Sequence, residues 1–170
     1  FSDNVSGYIE EIEELAETMR SETEADNQNI SDGSYDLVLD PNKTFGPPIA
    51  KEPVPFFNFA PLKNALARLE QAASSYDSVI ADGAAASARE NYLLYTSERE
   101  LTRQQGLSGR PWYKHHIYAP GFYTGYGVKT IPGVREAIEQ RQYDQVAGQI
   151  DIAAEVLNAM ASRVELLVEE

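Results

Sequence analysis

Apolar residues recur along this chain in steps of three and four, the spacing that places them on one face of an α-helix. The pattern is clear in three segments, near the N-terminus, in the middle and at the C-terminus. The apolar stripes are Val5, Tyr8, Ile12, Leu15 and Met19; Leu62, Leu66, Leu69, Ala73, Tyr76 and Ile80; and Val146, Ile150, Ala153, Leu157, Met160, Val164 and Leu167. Each stripe predicts an amphipathic helix that buries one face against other helices.

Two further segments are predicted to be helical on weaker patterns. Residues 84–105 are rich in Ala, Glu, Arg and Leu, which favour helix, and Gly106 is well placed to end that helix. Residues 132–140 predict a short helix that begins at a proline. The sequence therefore predicts an all-α fold: an up-down bundle of four long helices, with a long ordered loop and a short helix between the third and the last.

Two segments lack helical periodicity. Residues 25–57 are dominated by Asp, Asn, Gly, Ser and Pro and are predicted to form an irregular insertion loop. Within them, the run Tyr35–Leu39 is compatible with a strand or an apolar anchor, but one strand cannot form a sheet alone. Residues 108–133 are aromatic and punctuated by glycine and proline. This second segment is predicted to be an ordered loop, and long ordered loops usually carry function.

Size and charge narrow the possible classes of protein. The 170 residues, of which 42% are hydrophobic, are expected to form a single domain over residues 1–170. The formal net charge is −13 and the basic residues are scattered, which argues against a nucleic-acid or anionic-membrane surface. No apolar run is long enough to predict insertion into a membrane. The absence of cysteine excludes disulfides and thiolate metal sites within this chain.

Three asparagines begin the tripeptide Asn-x-Ser/Thr, which is the acceptor pattern for N-glycosylation: Asn4, Asn29 and Asn42. Such tripeptides also arise by chance. Their positions at a helix start and in a polar loop nevertheless favour an origin in the secretory pathway. The first residue is Phe1 rather than methionine, so we expect a piece of a longer protein. The expected location is the luminal or extracellular part of a membrane-anchored or secreted parent.

The two histidines, His115 and His116, are the first candidates for chemistry. Neighbouring side chains in an extended segment point to opposite faces, so this pair is poorly suited to share one metal ion. No His-Glu-x-x-His pattern occurs either. We therefore expect structural, hydrogen-bonding histidines and no metal site in this chain.

The glycine-rich run from Gly121 to Gly127 is the second candidate. It follows no predicted strand and lacks the Gly-Lys-Ser/Thr ending of a phosphate-binding loop. Its glycines, Gly125 and Gly127 among them, are expected instead to permit tight turns that present Tyr126 outward. No nucleophile, base and acid arrangement can be argued from the spacing, so this chain alone is predicted to be non-catalytic and to hold no cofactor.

The most specific motif is the run from Gly106 to His115, GLSGRPWYKH, followed by Ile117-Tyr118-Ala119-Pro120, then Tyr126, then Ile131-Pro132-Gly133. This order of residues resembles the C-terminal helical domain of the glutamate carboxypeptidase II and transferrin receptor family, called the transferrin-receptor-like dimerisation domain. The resemblance covers nearly the whole chain. It excludes residues 27–55, a loop that looks longer than the family's.

The resemblance implies that this domain follows a zinc-peptidase domain, usually behind one membrane anchor, and packs against its copy in a homodimer. It also implies that the loop before Pro132 reaches the peptidase site, where a Lys-Tyr pair contacts the C-terminal glutamate of the substrate. Tyr126 matches that tyrosine, and Gly125 stands where the lysine would be. The charged contact is therefore missing and a preference for glutamate is in doubt. Zinc and the catalytic glutamate would belong to the absent peptidase domain.

Two classes of function follow from this resemblance. The first is a dimerisation and interaction module that lends one loop to the substrate cleft of a zinc carboxypeptidase. The second is a receptor or sorting-adaptor module whose peptidase part has lost its zinc and whose helical surface binds a protein partner. The zinc ligands of the preceding sequence would discriminate between them.

Overall fold

The computed structural model describes residues 1–38, 48–81 and 87–168 of the chain. We expected one domain over residues 1–170, and the structure groups the chain into two compact units. The larger unit comprises residues 1–12 and 57–170, and the smaller one comprises residues 13–56. Among the described residues, no helix is both long enough and apolar enough to cross a membrane.

Helices dominate the structure, which confirms the all-α class. The α-helices are α1 (Ser2–Ser31), α2 (Ala60–Ala81), α3 (Ala88–Thr96), α4 (Pro132–Glu139) and α5 (Tyr143–Val168); 3₁₀ helices cover Ser34–Val38 and Ser97–Leu101, and two short strands are β1 (Tyr118–Pro120) and β2 (Val128–Thr130). Helices α1, α2 and α5 have 30, 22 and 26 residues, whereas α3 has 9. Three long helices are described rather than the four that we predicted.

Helices α2 and α5 form the main helix pair of the larger unit. Their first turns lie at the same end, because the rings of Phe57 and Tyr143 are 5.9 Å apart. Further along, Arg68 of α2 donates to both carboxylate oxygens of Glu165 at 2.9 and 2.6 Å and to the hydroxyl of Ser162 at 2.7 Å. The two helices therefore run in the same direction. Apolar residues pack between them, and the hydrogen bonds of Arg68 lie at the edge of this contact.

The buried positions agree with the predicted stripes in α2 and α5 better than in α1. Leu62, Leu66 and Leu69 are buried, as are Val146, Ile150, Ala153, Leu157 and Leu167, although Ile80 is exposed. In α1 the buried apolar residues are Val5, Ile9, Ile12 and Ala16, whereas Tyr8, Leu15 and Met19 are half-buried. Two neighbouring apolar stripes run along α1, and helical spacing alone does not decide which one is buried.

The third predicted helix is shorter than residues 84–105. Helix α3 ends at Thr96, and the chain leaves helical geometry after Leu101. Thr102 instead forms a β-bridge with His115, and the N–H of Arg103 donates to the carbonyl of Lys114 at 3.0 Å. These long-range hydrogen bonds prevail over the helix propensity of the segment. Gly106 consequently lies in a turn and does not end a helix.

Residues 25–31, predicted to begin the insertion loop, are the last turns of α1. The apolar pattern fades there because polar side chains of α1 bind an extended segment of the smaller unit. The Asn27 amide donates to the carbonyl of Lys51 at 2.8 Å and accepts from its N–H at 2.9 Å. Arg20 donates to the carbonyls of Val54 and Pro55 at 3.2 and 2.9 Å.

The run Tyr35–Leu39 is not a strand over its described part. Its first four residues belong to the 3₁₀ helix Ser34–Val38, and Leu39 lies outside the described residues.

Candidate functional site

The loop predicted over residues 108–133 contains a β-hairpin that the sequence pattern does not indicate. Strands β1 and β2 pair antiparallel, with Tyr118 opposite Thr130 and Pro120 opposite Val128. The N–H of Gly121 donates to the carbonyl of Gly127 at 2.9 Å and closes the turn. We call residues 118–130 the hairpin and residues 121–127 the hairpin tip.

The hairpin tip presents its aromatic side chains to solvent. Tyr126 is fully exposed, Tyr123 is 81% exposed and Phe122 is 44% exposed. Soluble proteins rarely leave contiguous aromatic surface uncovered, and such a patch often marks a binding site. The structure therefore places Tyr126, the residue that the resemblance singled out, where another domain or a ligand can reach it.

The geometry of the tip favours glycine at position 125 and brings a side chain close to Gly121. Gly125 has φ of +60°, a left-handed conformation that favours glycine, and no described atom lies within 4 Å of where its Cβ would stand. A Cβ on Gly121 would lie 2.3 Å from Oγ1 of Thr124. Gly127, which we expected to shape the turn, would meet only ordinary contacts at 3.4 Å. The approach at Gly121 comes from a side chain across the turn, so the sequence predicts a turn at this glycine but not the contact.

The base of the hairpin tip is held by a buried ion pair that we call the anchor pair, Arg110 and Glu136. Nη2 of Arg110 donates to both carboxylate oxygens of Glu136 at 2.6 and 2.7 Å. Nη1 of Arg110 donates to the carbonyl of Pro120, and Oε1 of Glu136 accepts from the N–H of Phe122 at 2.8 Å. The anchor pair thus binds the backbone on both sides of Gly121, at the point where the tip begins.

Burial makes the anchor pair sensitive to the loss of either member. Arg110 is only 3% exposed, and its guanidinium lies 5.2 Å from the ring centroid of Tyr113 and 5.6 Å from that of Phe122. A buried ion pair adds little to the stability of the folded state compared with an apolar pair of similar size. Removing one partner is destabilising, because it leaves an uncompensated charge in the interior. Arg110 belongs to the motif from Gly106 to His115, but the sequence does not point to Glu136, since no local spacing links two residues 26 positions apart.

Helix α4 carries Glu136, and its first turn is firmly placed. Ile131, which precedes the helix, is fully buried at φ of +43°, a rare conformation for a β-branched residue. Its N–H donates to the carbonyl of Ile117 at 2.7 Å, next to the start of β1. A Cβ on Gly133 would lie 2.2 Å from Oε1 of Gln149, so the side chain of Gln149 from α5 covers the first turn of α4. The backbone strain at Ile131 is offset by the burial of its side chain and by these contacts.

The two histidines lie at the other end of β1 and have different roles. Nδ1 of His115 accepts from the N–H groups of Ile117 and Tyr118, both at 3.2 Å, and its ring lies 4.0 Å from that of Tyr118. Nε2 of His116, a residue 3% exposed, finds no hydrogen-bond partner among the described residues. His115 is thus a structural, hydrogen-bonding histidine through Nδ1, while its own Nε2, like that of His116, is buried without a hydrogen-bond partner among the described residues.

Burial, joined by the charges of Arg103 and His115, lowers the pKa of His116 to about 4. Burial also lowers the pKa of His115, against the opposing effect of Glu98. Both imidazoles are therefore neutral near pH 7. Over residues 1–38, 48–81 and 87–168, no group of three or more His, Asp or Glu side chains is arranged to hold a metal ion.

The described glycosylation acceptors both lie in α1. Asn4 and Asn29 are exposed, Asn29 in the last turn of the helix rather than in a loop. Asn42 lies outside the described residues. Exposure leaves the first two asparagines accessible to modification.

Comparison with known proteins identifies the family. The model of the transferrin receptor-like dimerisation domain matches residues 57–165. The chain is 55% identical over 49 residues to the probable glutamate carboxypeptidase LAMP1 of Arabidopsis thaliana, a match to 29% of this chain and 7% of that protein. It is 35% identical over 63 residues to a probable glutamate carboxypeptidase of Arthroderma benhamiae, covering 37% of this chain and 9% of that protein. The chain thus matches less than a tenth of each of these two relatives, and it belongs to the transferrin receptor-like dimerisation domain family.

Proposed function

We propose that this chain is the dimerisation and interaction domain of a glutamate carboxypeptidase-like zinc peptidase, and that its hairpin tip contributes to the substrate cleft of the peptidase domain. The observation that carries the proposal is an exposed Tyr126 on a hairpin tip whose base is held by the buried pair Arg110 and Glu136. The probable glutamate carboxypeptidases among its relatives support the class of the parent.

A contact residue works best when its position is set before the ligand arrives, because less freedom is then lost on binding. The anchor pair fixes the carbonyl of Pro120 and the N–H of Phe122, so the tip leaves the domain at a defined place. The hydroxyl of Tyr126 can donate one hydrogen bond, worth about 1.5 to 3 kcal/mol when the acceptor is charged. In this proposal the peptidase domain supplies zinc and the catalytic groups, and this chain positions the substrate.

The test is kinetic and uses the full-length parent enzyme. Tyr126→Phe removes one hydroxyl and Tyr126→Ala removes the ring. We expect both to raise KM more than they lower kcat, with the larger effect for alanine. Tyr95→Phe is the matched control, because Tyr95 is also highly exposed but belongs to α3 and not to the hairpin. An unchanged kcat/KM in both Tyr126 variants would contradict the proposed role of the tip.

The proposed partners are a second copy of the chain, in a homodimer, and the peptidase domain of the parent. Sedimentation equilibrium of the full-length protein at micromolar concentration should give the mass of a dimer. A mass that stays monomeric up to high micromolar concentration would exclude the homodimer.

The alternative is a non-catalytic receptor or sorting-adaptor module that binds a protein partner. Gly125 favours it, because the position lacks the cation that the family resemblance implies for substrate binding. Elemental analysis of the purified full-length protein separates the two: stoichiometric zinc supports the peptidase, and its absence supports the receptor.

We further propose that the parent is exposed to the lumen or the cell exterior and carries glycans on Asn4 and Asn29. Mass spectrometry of peptides from the native protein, before and after enzymatic removal of N-glycans, tests this assignment. Unmodified asparagine at both positions would contradict it.

A further inference from the structure

A small cavity is formed by helix α4, the first turns of α5, the loop that precedes β1 and the first side chain of the hairpin tip. Its volume is about 120 Å³. Judged by the volume that one water requires, it has room for roughly ten water-sized groups, which is about the size of one sugar ring. Four of the residues that line it are glutamines: Gln140, Gln142, Gln145 and Gln149.

The glutamine side chains bring hydrogen-bonding groups that the described structure leaves unused. Gln145 and Gln149 are half-buried on α5, and neither side-chain amide is hydrogen-bonded within the described part of the chain. The amide of Gln142 donates to that of Gln140 over a long distance of 3.4 Å. Each primary amide offers two donors and one acceptor. The cavity therefore presents several donors and acceptors to whatever occupies it.

Glu136 is the only charged residue of the described lining. Its two oxygens accept from Nη2 of Arg110 at 2.6 and 2.7 Å, and Oε1 also accepts from the N–H of Phe122 at 2.8 Å. A carboxylate has about four acceptor positions, so these hydrogen bonds leave about one, on Oε2. Arg110 balances the negative charge. Glu136 thus adds one acceptor to the cavity without adding an unpaired charge.

One side of the cavity is apolar. The ring of Phe122 is 44% exposed and packs against Gly109, where a Cβ would lie 3.2 Å from Cε2 of the ring. Leu107 and Ala137 also line the cavity, and both are buried. An aromatic ring opposite polar amides suits a ligand that has one apolar face and a polar rim.

These groups decide which chemical class of ligand fits. An anion would find no unpaired cation in the described lining. A cation would meet a carboxylate that Arg110 already balances, and the guanidinium would repel it. An apolar molecule would cover the amides and leave their donors and acceptors without partners, which is costly. A hydroxyl group both donates and accepts, so a neutral molecule rich in hydroxyl groups can satisfy the amides and the carboxylate together.

We propose that this cavity binds one neutral sugar ring. The amides of Gln145 and Gln149 bind its hydroxyl groups, the remaining acceptor position of Glu136 receives one more, and the C–H face of the ring lies on Phe122. The occupant is a free monosaccharide or the terminal sugar of a glycan, which present the same hydroxyl-rich ring. Direct binding tests this site, so its outcome does not depend on peptidase activity in the parent.

The first measurement is saturation-transfer NMR on the full-length protein. The probes are glucose, galactose, mannose and N-acetylglucosamine, each titrated to about 20 mM, with glucuronate and galacturonate as charged counterparts. We expect at least one neutral sugar to bind saturably, with Kd on the order of 1 mM, and each uronate to bind about tenfold more weakly than its neutral parent. Absence of saturable binding by all four neutral sugars, or equal binding of the uronates, would overturn the proposal.

The second measurement assigns the binding to the cavity. Gln145→Met and Gln149→Met each remove one amide and keep the length of the side chain. Gln71→Met, at an exposed position of α2, is the matched control. We expect each cavity variant to raise Kd for the bound sugar about fivefold or more, and the control to leave it unchanged. An unchanged Kd in the cavity variants contradicts the site.

Thermal unfolding establishes that each variant is folded. Gln145→Met carries the test if Gln149→Met does not fold, because the side chain of Gln149 packs against Gly133 of α4. Disaccharides that end in the bound sugar then separate its two sources. Retained binding indicates a glycan terminus and lost binding indicates a free sugar, and either result supports the site only if Gln145→Met weakens the binding that is seen.

Discussion

Nη2 of Arg110 lies 2.6 and 2.7 Å from the two carboxylate oxygens of Glu136, which also accepts from the N–H of Phe122. One buried carboxylate thus binds a side chain at the start of the aromatic loop and the backbone at its tip. Glu136 belongs to helix α4, which packs on the long helix α5. The anchor pair is therefore one of the connections between the hairpin and helix α4, beside the contacts of Lys129 with Glu139 and of Arg135 with Thr130.

Replacing Arg110 with methionine should be strongly destabilising. The substitution keeps most of the side-chain length but leaves Glu136 buried without its cation, which typically costs about 3 to 5 kcal/mol. The free energy of unfolding, from urea denaturation of this chain, measures the loss. Lys51→Met is the control, because its pair with Asp26 is about half exposed and should contribute no more than about 1 kcal/mol. Similar losses in the two variants would show that the anchor pair is not effectively buried.

Replacing Leu157 with alanine tests which face of α5 is buried. Leu157 is completely buried, and such a truncation costs roughly 2 to 5 kcal/mol through lost burial and a residual cavity. Leu166→Ala on the same helix is the matched control, since Leu166 is 40% exposed and should lose far less. Chemical denaturation of both variants gives the comparison. A loss below about 0.5 kcal/mol for Leu157→Ala would place the buried face of α5 elsewhere.

Two glycines with positive φ should respond differently to alanine. At Gly106, with φ of +66°, the new Cβ would lie 2.3 Å from the carbonyl oxygen of Pro111 and 2.7 Å from that of Tyr113. These are backbone atoms, so Gly106→Ala should cost roughly 2 kcal/mol or more. Gly125→Ala meets open space and should cost about 1 kcal/mol from backbone strain alone. Thermal or urea unfolding of the pair tests the difference, and the reverse order would refute the crowding around Gly106.

His116 should make the folded state sensitive to acid. Its folded pKa of about 4 lies below the ordinary value of 6.5, so the unfolded chain binds a proton first as the pH falls. This histidine has no effect on stability above about pH 7, and it costs stability progressively from about pH 6.5 down to pH 4. The difference between 6.5 and about 4 corresponds to a total loss on the order of 3 kcal/mol.

The comparison is between wild type and His116→Phe, which removes the titrating group and its unpaired Nε2 while keeping an aromatic ring. The free energy of unfolding, measured from pH 7.5 to pH 4, should fall less steeply in the variant. Parallel curves would mean that His116 does not titrate differently on unfolding.

The local sequence pattern predicts the position of some helices correctly and fails at others. The stripe from Val146 to Leu167 predicts α5 well, because apolar residues repeated over so many turns lie on one face only if the segment is helical. Local propensity fails at Thr102 and Arg103, whose backbone pairs with residues beyond the next turn. It also fails at Asn27, where a polar residue stabilises α1 by binding the backbone of Lys51.

By itself, the sequence determined the helical class, the main helix positions and the family, because apolar spacing is local and the string from Gly106 to Gly133 is long. The resemblance carried by that string also singled out Tyr126, with Gly125 at the position of the family's lysine. Only the tertiary structure decided that Tyr126 is exposed, that Glu136 is the partner of Arg110, and that Lys129 and Arg135 are already paired. Exposure and ion pairing depend on residues that are distant in the chain and meet only when it folds.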